Sequence, residues 1–451
     1  CAVGDNHAKM VADIARHGGS SYDLADHKAI NDGAAAFLDK WGFRKAFPST
    51  ESYFLAVGKK QYDAWQNYLE NIRICDQVDM AAISGWESTS IENHSGIVDN
   101  LRYFHADPEL IRVSLLPLRP VAKQRRYTYA TGESAELDIW LLNDSATPVS
   151  GQLTLSVIDP DGRSTKVAEY AAPALVADQF SYLLAERVKA PPFTKAGKHT
   201  VRLAMSGRPD VTFARDLWVT RTDLAPAVKP LRIAVSGISK SLRQRLSALP
   251  GVQIEDFQTG SRYDGLVASG LKAEEIARRQ IGDQTGLEAA PKKGEKPKLV
   301  PGALPPDVLS AVQGGLPLLA MVPEDGLADG VGQQLAGLGL FRYSGQLGNL
   351  RAPWMGNWNI LRAHPLFDGI PADMAAGVWH QIEGQASNGL IIEGDGIDII
   401  AAYSRDHDRR LGASSFMARK AGMKVLFHRM PDMAAPLQTR FLRNALAWLS
   451  S

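Results

Sequence analysis

The hydrophobic period changes twice along this chain, so no one architecture accounts for all of it. Apolar and polar residues alternate in Glu136 to Leu141, Gln152 to Val157, His199 to Met205 and Asp210 to Val219. A period of two marks strands with one face in a core. Before about Val121 the apolar residues recur at helical spacing instead, as Tyr62, Trp65, Tyr68, Leu69 and Ile72 do within Lys59 to Asp76. Beyond Pro230 short apolar runs alternate with helical stretches, the grammar of a parallel α/β sheet. The switches predict three regions: 1–120, 121–222 and 223–451.

In the first region Ala8 to Arg16 reads as a short helix. Asp26 to Trp41 reads as a second, with Asp26 a plausible N-cap and Gly42 a stop. The third helix is followed by Met80 to Ile83, four apolar residues that read as a buried strand ended by Gly85. Helix, strand and polar loop in succession is the pattern of a βα-barrel, whose chemistry sits on the loops after the strands. Trp86 and Glu87 fall on that loop.

The middle region has about one hundred residues, several strands and no helical period, which fits an immunoglobulin-like β-sandwich. Asp159-Pro160-Asp161-Gly162 is a turn in which Pro fixes φ and Gly accepts a positive one. After a linker from Thr222 to Pro230, Leu231 to Gly237 is a buried strand and Ser239 to Leu249 a helix. Val252 to Phe257, Tyr263 to Val267, Leu316 to Val322, Leu390 to Glu393 and Ile397 to Ala402 continue a flavodoxin-like alternation, closed by an amphipathic helix at Gln438 to Leu449. Leu287 to Pro306, rich in Lys, Pro and Gly, reads as an exposed insertion.

Composition removes several classes of function. Lys and Arg number 50 against 49 for Asp and Glu, so no net field favours nucleic acid or an anionic membrane. There is no apolar run long enough for a transmembrane span. Two cysteines, Cys1 and Cys75, form neither a disulfide framework nor a zinc pattern. Gly18-Gly19 and Gly337-Leu338-Gly339 lack the strand-to-helix setting of a nucleotide fingerprint. No cofactor or metal is expected.

The run Ser84-Gly85-Trp86-Glu87-Ser88-Thr89, with Ile91-Glu92-Asn93-His94-Ser95-Gly96 and Val98-Asp99-Asn100-Leu101-Arg102 behind it, resembles the end of the catalytic barrel in glycoside hydrolase family 2. That resemblance implies a partial (β/α)8 barrel end at 1–120, followed by the sandwich, in a C-terminal portion of such an enzyme. It implies retaining hydrolysis of β-linked sugars, as in β-galactosidases and β-glucuronidases, with an oligo- or polysaccharide as partner. Association with the rest of the barrel or as a homo-oligomer, and a periplasmic or extracellular location, follow as expectations. The alternative is a non-catalytic carbohydrate-binding or assembly protein.

The resemblance places the nucleophile and the acid upstream of Cys1. Retaining enzymes hold two carboxyl groups about 5 Å apart on either side of the bond. Glu87 and Glu92 are the close acidic pair beside an aromatic, but one loop is a poor support for groups on opposite sides of a sugar. Trp86 is assigned to stacking on the sugar face or, alternatively, to a core. Glu87, Glu92, Asn93 and His94 are assigned to substrate binding, with Asp99 continuing the rim or fixing the loop. His7 and His17 border the pocket or are solvated loop histidines. The third region resembles the ThuA-like branch of the class I amidotransferase fold. Its strand-to-helix turn, Leu319 to Gly326, holds no Cys or Ser, which argues against acyl transfer there. His364 to Gly369 and Trp379-His380 read as fold-supporting, and Trp354, Met355 and Trp358 as a sugar or partner patch or as ordinary core.

Overall fold

The computed structural model describes residues 6–20, 24–78, 80–83, 85–87, 96–145, 147–223, 230–270, 303–321, 328–347, 357–380, 389–405, 408–429 and 433–451. Within them the chain is a mixed α/β structure with several sheets.

It opens with helices α1 (His7–Arg16), α2 (Leu24–Lys40), α3 (Thr50–Ile74) and the short α4 (Glu109–Arg112). The side chain of Asn6 caps α1 by accepting from the Lys9 amide at 3.2 Å. Ser49 and Ser52 form a reciprocal capping box that starts α3, at 3.0 and 3.1 Å. The helix begins nine residues before the expected Lys59 because Gly58 does not break it. A Cβ at Gly58 would stand 2.0 Å from the carbonyl oxygen of His105; the glycine is there to let another backbone close in. Gly33 of α2 serves the same purpose against the carbonyl of Arg409, which a Cβ would meet at 1.9 Å.

Two expectations for this region fail. Met80–Ile83 is not a buried strand: it carries no strand pairing and Met80 is 85% exposed. Four consecutive apolar residues are too short a signal to separate strand from connection. The described residues show no strand of the expected barrel end either, since among them none precedes Leu118. The apolar faces of α2 and α3 are taken up elsewhere. Phe37, Leu38, Tyr53, Phe54 and Val57 lie in one continuous core with Leu318, Ile360, Phe416 and Phe427 of the C-terminal sheet.

Strands β1 (Leu118–Gln124), β2 (Thr128–Ala130), β3 (Glu136–Asn143), β4 (Gln152–Ile158), β5 (Ser164–Ala171), β6 (Ser181–Lys189), β7 (Gly197–Met205) and β8 (Arg208–Thr220) follow. They make two sheets, ordered β1-β3-β6 and β2-β8-β7-β4-β5. Leu137, Ile139 and Leu141 of the first meet Leu153, Leu155, Val201 and Leu203 of the second in a shared core. The alternation in β3, β4, β7 and β8 is therefore the imprint of a two-layer packing.

The remaining strands are β9 (Leu231–Ser236), β10 (Val252–Asp256), β11 (Gly265–Ser269), β12 (Leu318–Met321), β13 (Arg342–Leu347), β14 (Asn357–Leu361), β15 (Met374–Ala375), β16 (Gly389–Glu393), β17 (Ile397–Arg405), β18 (Gly412–Lys420) and β19 (Met423–His428). They form an 11-stranded sheet whose main path runs β10-β9-β11-β12-β19-β18-β17-β14-β15. Pairing is parallel from β10 to β19 and antiparallel from β19 to β15. Helix α5 (Lys240–Ser247) follows β9, α6 (Pro306–Gln313) precedes β12, α7 (Asp329–Gly337) precedes β13, and α8 (Ala435–Ser450) closes the chain. Successive residues of β12 face opposite cores: Leu318 and Ala320 face the side of α2, α3, α6 and α7, while Leu319 faces α8. Burial on both faces explains the short unbroken apolar runs in the sequence.

A buried ionic joint ties α3 to the two-sheet layer. The carboxylate of Glu70 receives Arg119 at 2.8 Å and Arg215 at 2.9 Å, and all three side chains are at most 9% exposed. A second joint links that layer to the C-terminal sheet. Trp218 Nε1 and Thr220 Oγ1 both donate to the Gly369 carbonyl, at 3.1 and 2.8 Å, and Trp379 Nε1 donates to the Asp216 carbonyl at 3.0 Å. His364 to Gly369 and Trp379-His380 thus act as connections, as their sequence reading anticipates.

Candidate functional site

The turn bearing Trp86 and Glu87 is held by backbone pairing with a following loop. The amides of Ile97 and Val98 donate to the Trp86 carbonyl at 2.9 and 3.1 Å. The Ile97 carbonyl in turn accepts from Tyr62 of α3. Asp99, fully buried, organises the next turn: its Oδ1 accepts from the amides of Leu101 and Tyr103, both at 2.9 Å. This is the loop-fixing role among its two expected roles. The turn brings Arg102 back, at a positive φ of 68°, to ion-pair with Glu87.

Trp86 is 56% exposed, so its indole is a surface platform and not a core residue. The Glu87 carboxylate lies on the same loop with its charge matched by Arg102. Glu92, Asn93 and His94 lie outside the described residues, as do Trp354 and Met355.

His7 is not on this rim. It is 3% exposed, its Nδ1 lies 3.0 Å from Nδ1 of His27, and its ring meets Phe54 edge-on at 5.2 Å. Its position as first residue of α1 turns it under the helix layer, which a loop reading of the segment hides. His17, beyond the end of α1, has a largely exposed side chain 3.8 Å from Asp13. Trp358 is 4% exposed and belongs to the core.

Two arrangements escaped the sequence reading. The first is Ser415 of β18 against His428 of β19, cross-strand partners with Oγ and Nδ1 2.7 Å apart. A Ser–His contact is the start of a nucleophilic site, but both residues are at most 1% exposed and the imidazole stacks on Phe441 at 3.8 Å. Burial pushes the His428 pKa down to about 3. The pair is a neutral hydrogen bond inside the sheet, sealed from substrate. The second is a cleft of about 410 Å³ between α3, β8 and the segment after β15, lined by Lys59, Asp63 and Gln66 from α3, Arg215 and Asp216 from β8, and Trp379. Its residues, Leu110 of α4 among them, come from four distant stretches of sequence, so no local motif announces it.

No family profile matches the chain, and no curated protein matches it in sequence. Solved structures that align with parts of it include a β-glucosidase from Listeria innocua in complex with glucose, at 14% identity over 23% of this chain and 16% of that one, TM-score 0.18. The CARDB domain of a Pyrococcus furiosus protein, in complex with di-metal ions, aligns at 12% identity over 23% of this chain and 89% of that one, TM-score 0.15. A cycloisomaltooligosaccharide glucanotransferase from Paenibacillus sp. aligns at 11% identity over 46% of this chain and 28% of that one, TM-score 0.17. These are local likenesses and assign no family. No described helix is long and apolar enough to cross a membrane.

Proposed function

We propose that this chain serves a glycoside hydrolase acting on β-linked sugars, of the retaining β-galactosidase or β-glucuronidase type, and that the Trp86 turn contacts the substrate. In this reading residues 121–222 are an immunoglobulin-like sandwich and 223–451 a flavodoxin-like unit without chemistry of its own. The observation that carries it is the exposed indole of Trp86 beside the Glu87 carboxylate, itself paired with Arg102, within the sequence run that resembles the family. An indole face covers the C–H groups of a pyranose while a neighbouring carboxylate orders its hydroxyls. A panel of chromogenic β-glycosides, assayed with the complete enzyme, tests it. Turnover of one or more supports the reading, and a uniform blank removes it.

A second reading, sugar binding without turnover, is favoured by one feature: the Glu87 carboxylate is committed to Arg102. It predicts saturable glycan binding together with that blank.

A further inference from the structure

We infer that the cleft between α3, β8 and the segment after β15 is a second ligand site, built for one neutral sugar unit, separate from the Trp86 turn. Its volume of about 410 Å³ lies in the range of roughly 300–1,000 Å³ in which small-molecule pockets fall. Position supports the assignment as well, because such sites gather where separate layers of a structure meet.

The wall chemistry selects the ligand class. Trp379 is half-buried, and its ring cannot swing: Nε1 donates to the Asp216 carbonyl at 3.0 Å and the ring packs on Trp218 at a centroid distance of 5.6 Å. A fixed indole edging a mostly apolar cleft with a few polar groups on its wall is preorganised for the C–H face of a pyranose. Most of the charges around it are already matched. Lys59 is 2.6 Å from Asp63, Arg215 is 2.9 Å from Glu70, and Asp216 accepts from Thr200 at 2.6 Å and meets Lys198 at 3.2 Å. Lys60, which also lines the cleft, donates to the Asn357 carbonyl at 2.7 Å. A charged ligand would have to break one of these pairs or draw Lys60 off that carbonyl. A polyol adds hydrogen bonds to the remaining carboxylate lone pairs and N–H groups while leaving every pair in place.

Two indole resonances separate this site from the one proposed for hydrolysis. Titration of the full chain with methyl β-galactoside and methyl β-glucoside, followed by ¹H–¹⁵N spectra assigned with Trp379→Phe and Trp86→Ala, is expected to shift the Trp379 indole saturably. The shift should persist in Trp86→Ala. Ala214 lines the cleft from an exposed position on β8, so Ala214→Trp fills the space without touching a core. That variant should keep the thermal midpoint of the parent and lose at least tenfold in apparent affinity at Trp379. A Trp379 indole that does not respond to either glycoside overturns the inference, as does an unchanged response in a folded Ala214→Trp. Tighter binding of methyl β-glucuronide than of the neutral glycosides overturns the ligand class. Response of the Trp86 indole alone would leave the hydrolase reading standing and remove this one.

Discussion

Trp358 Nε1 donates a hydrogen bond to the hydroxyl of Tyr53 at 2.8 Å inside the core, joining α3 to β14 across 305 residues of sequence. The N-terminal helices are therefore part of the layer that covers the large sheet. Tyr53→Phe leaves the indole N–H buried without that acceptor, a loss of about 1–3 kcal/mol. Chemical denaturation should show it as a lower midpoint at unchanged slope. A variant as stable as the parent would mean the contact does not hold the layers together.

Glu70 is shared by two buried arginines from different strands, Arg119 and Arg215. Removing one partner of a buried pair leaves an uncompensated charge, costing about 3–5 kcal/mol. Glu70→Ala is accordingly expected to unfold at markedly lower denaturant than the parent. Glu87→Ala, at a pair 37% and 58% exposed, should change stability by no more than about 1 kcal/mol. Equal effects of the two substitutions would contradict the assignment of Glu70 as the joint.

His380 is fully buried, accepting from the Gly377 amide at 3.2 Å and donating Nε2–H to the Pro371 carbonyl at 3.0 Å. Burial lowers its pKa from 6.5 to about 4. The unfolded chain takes up the proton first, so stability is complete above about pH 6.5 and falls as pH drops toward the folded value, by about 1.4 kcal/mol per unit. His380→Gln should flatten the stability profile between about pH 6.5 and pH 5. Parallel profiles for parent and variant would refute a neutral buried imidazole.

Sequence alone conveyed the elements whose faces differ. The alternation of β3, β4, β7 and β8 and the apolar runs of β9, β12 and β17 were legible because burial there is one-sided or complete. Strand β5 was not, since its residues are mostly exposed at a sheet edge. Strand β18 was hidden for the opposite reason: Ser414 and Ser415 look like loop residues yet are wholly buried. Gly58 disguised the first part of α3, because close approach of His105 cannot be read from neighbours in sequence. Trp86 and Glu87 stood out by their wording, whereas the burial of His7 and the Trp379 cleft were invisible before folding.

Trp86 bears most of the functional argument and little of the stability. With 56% of its surface exposed, its replacement by Ala should alter folding free energy by no more than about 0.5 kcal/mol.

The most direct test is the kcat/KM of the complete enzyme and its Trp86→Ala variant on an aryl β-glycoside that the complete enzyme hydrolyses. A fall of at least about tenfold, equivalent to about 1.4 kcal/mol of transition-state binding, at unchanged stability is the predicted result. Equal values in the two proteins, or no hydrolysis of any aryl β-glycoside by the complete enzyme, would contradict it.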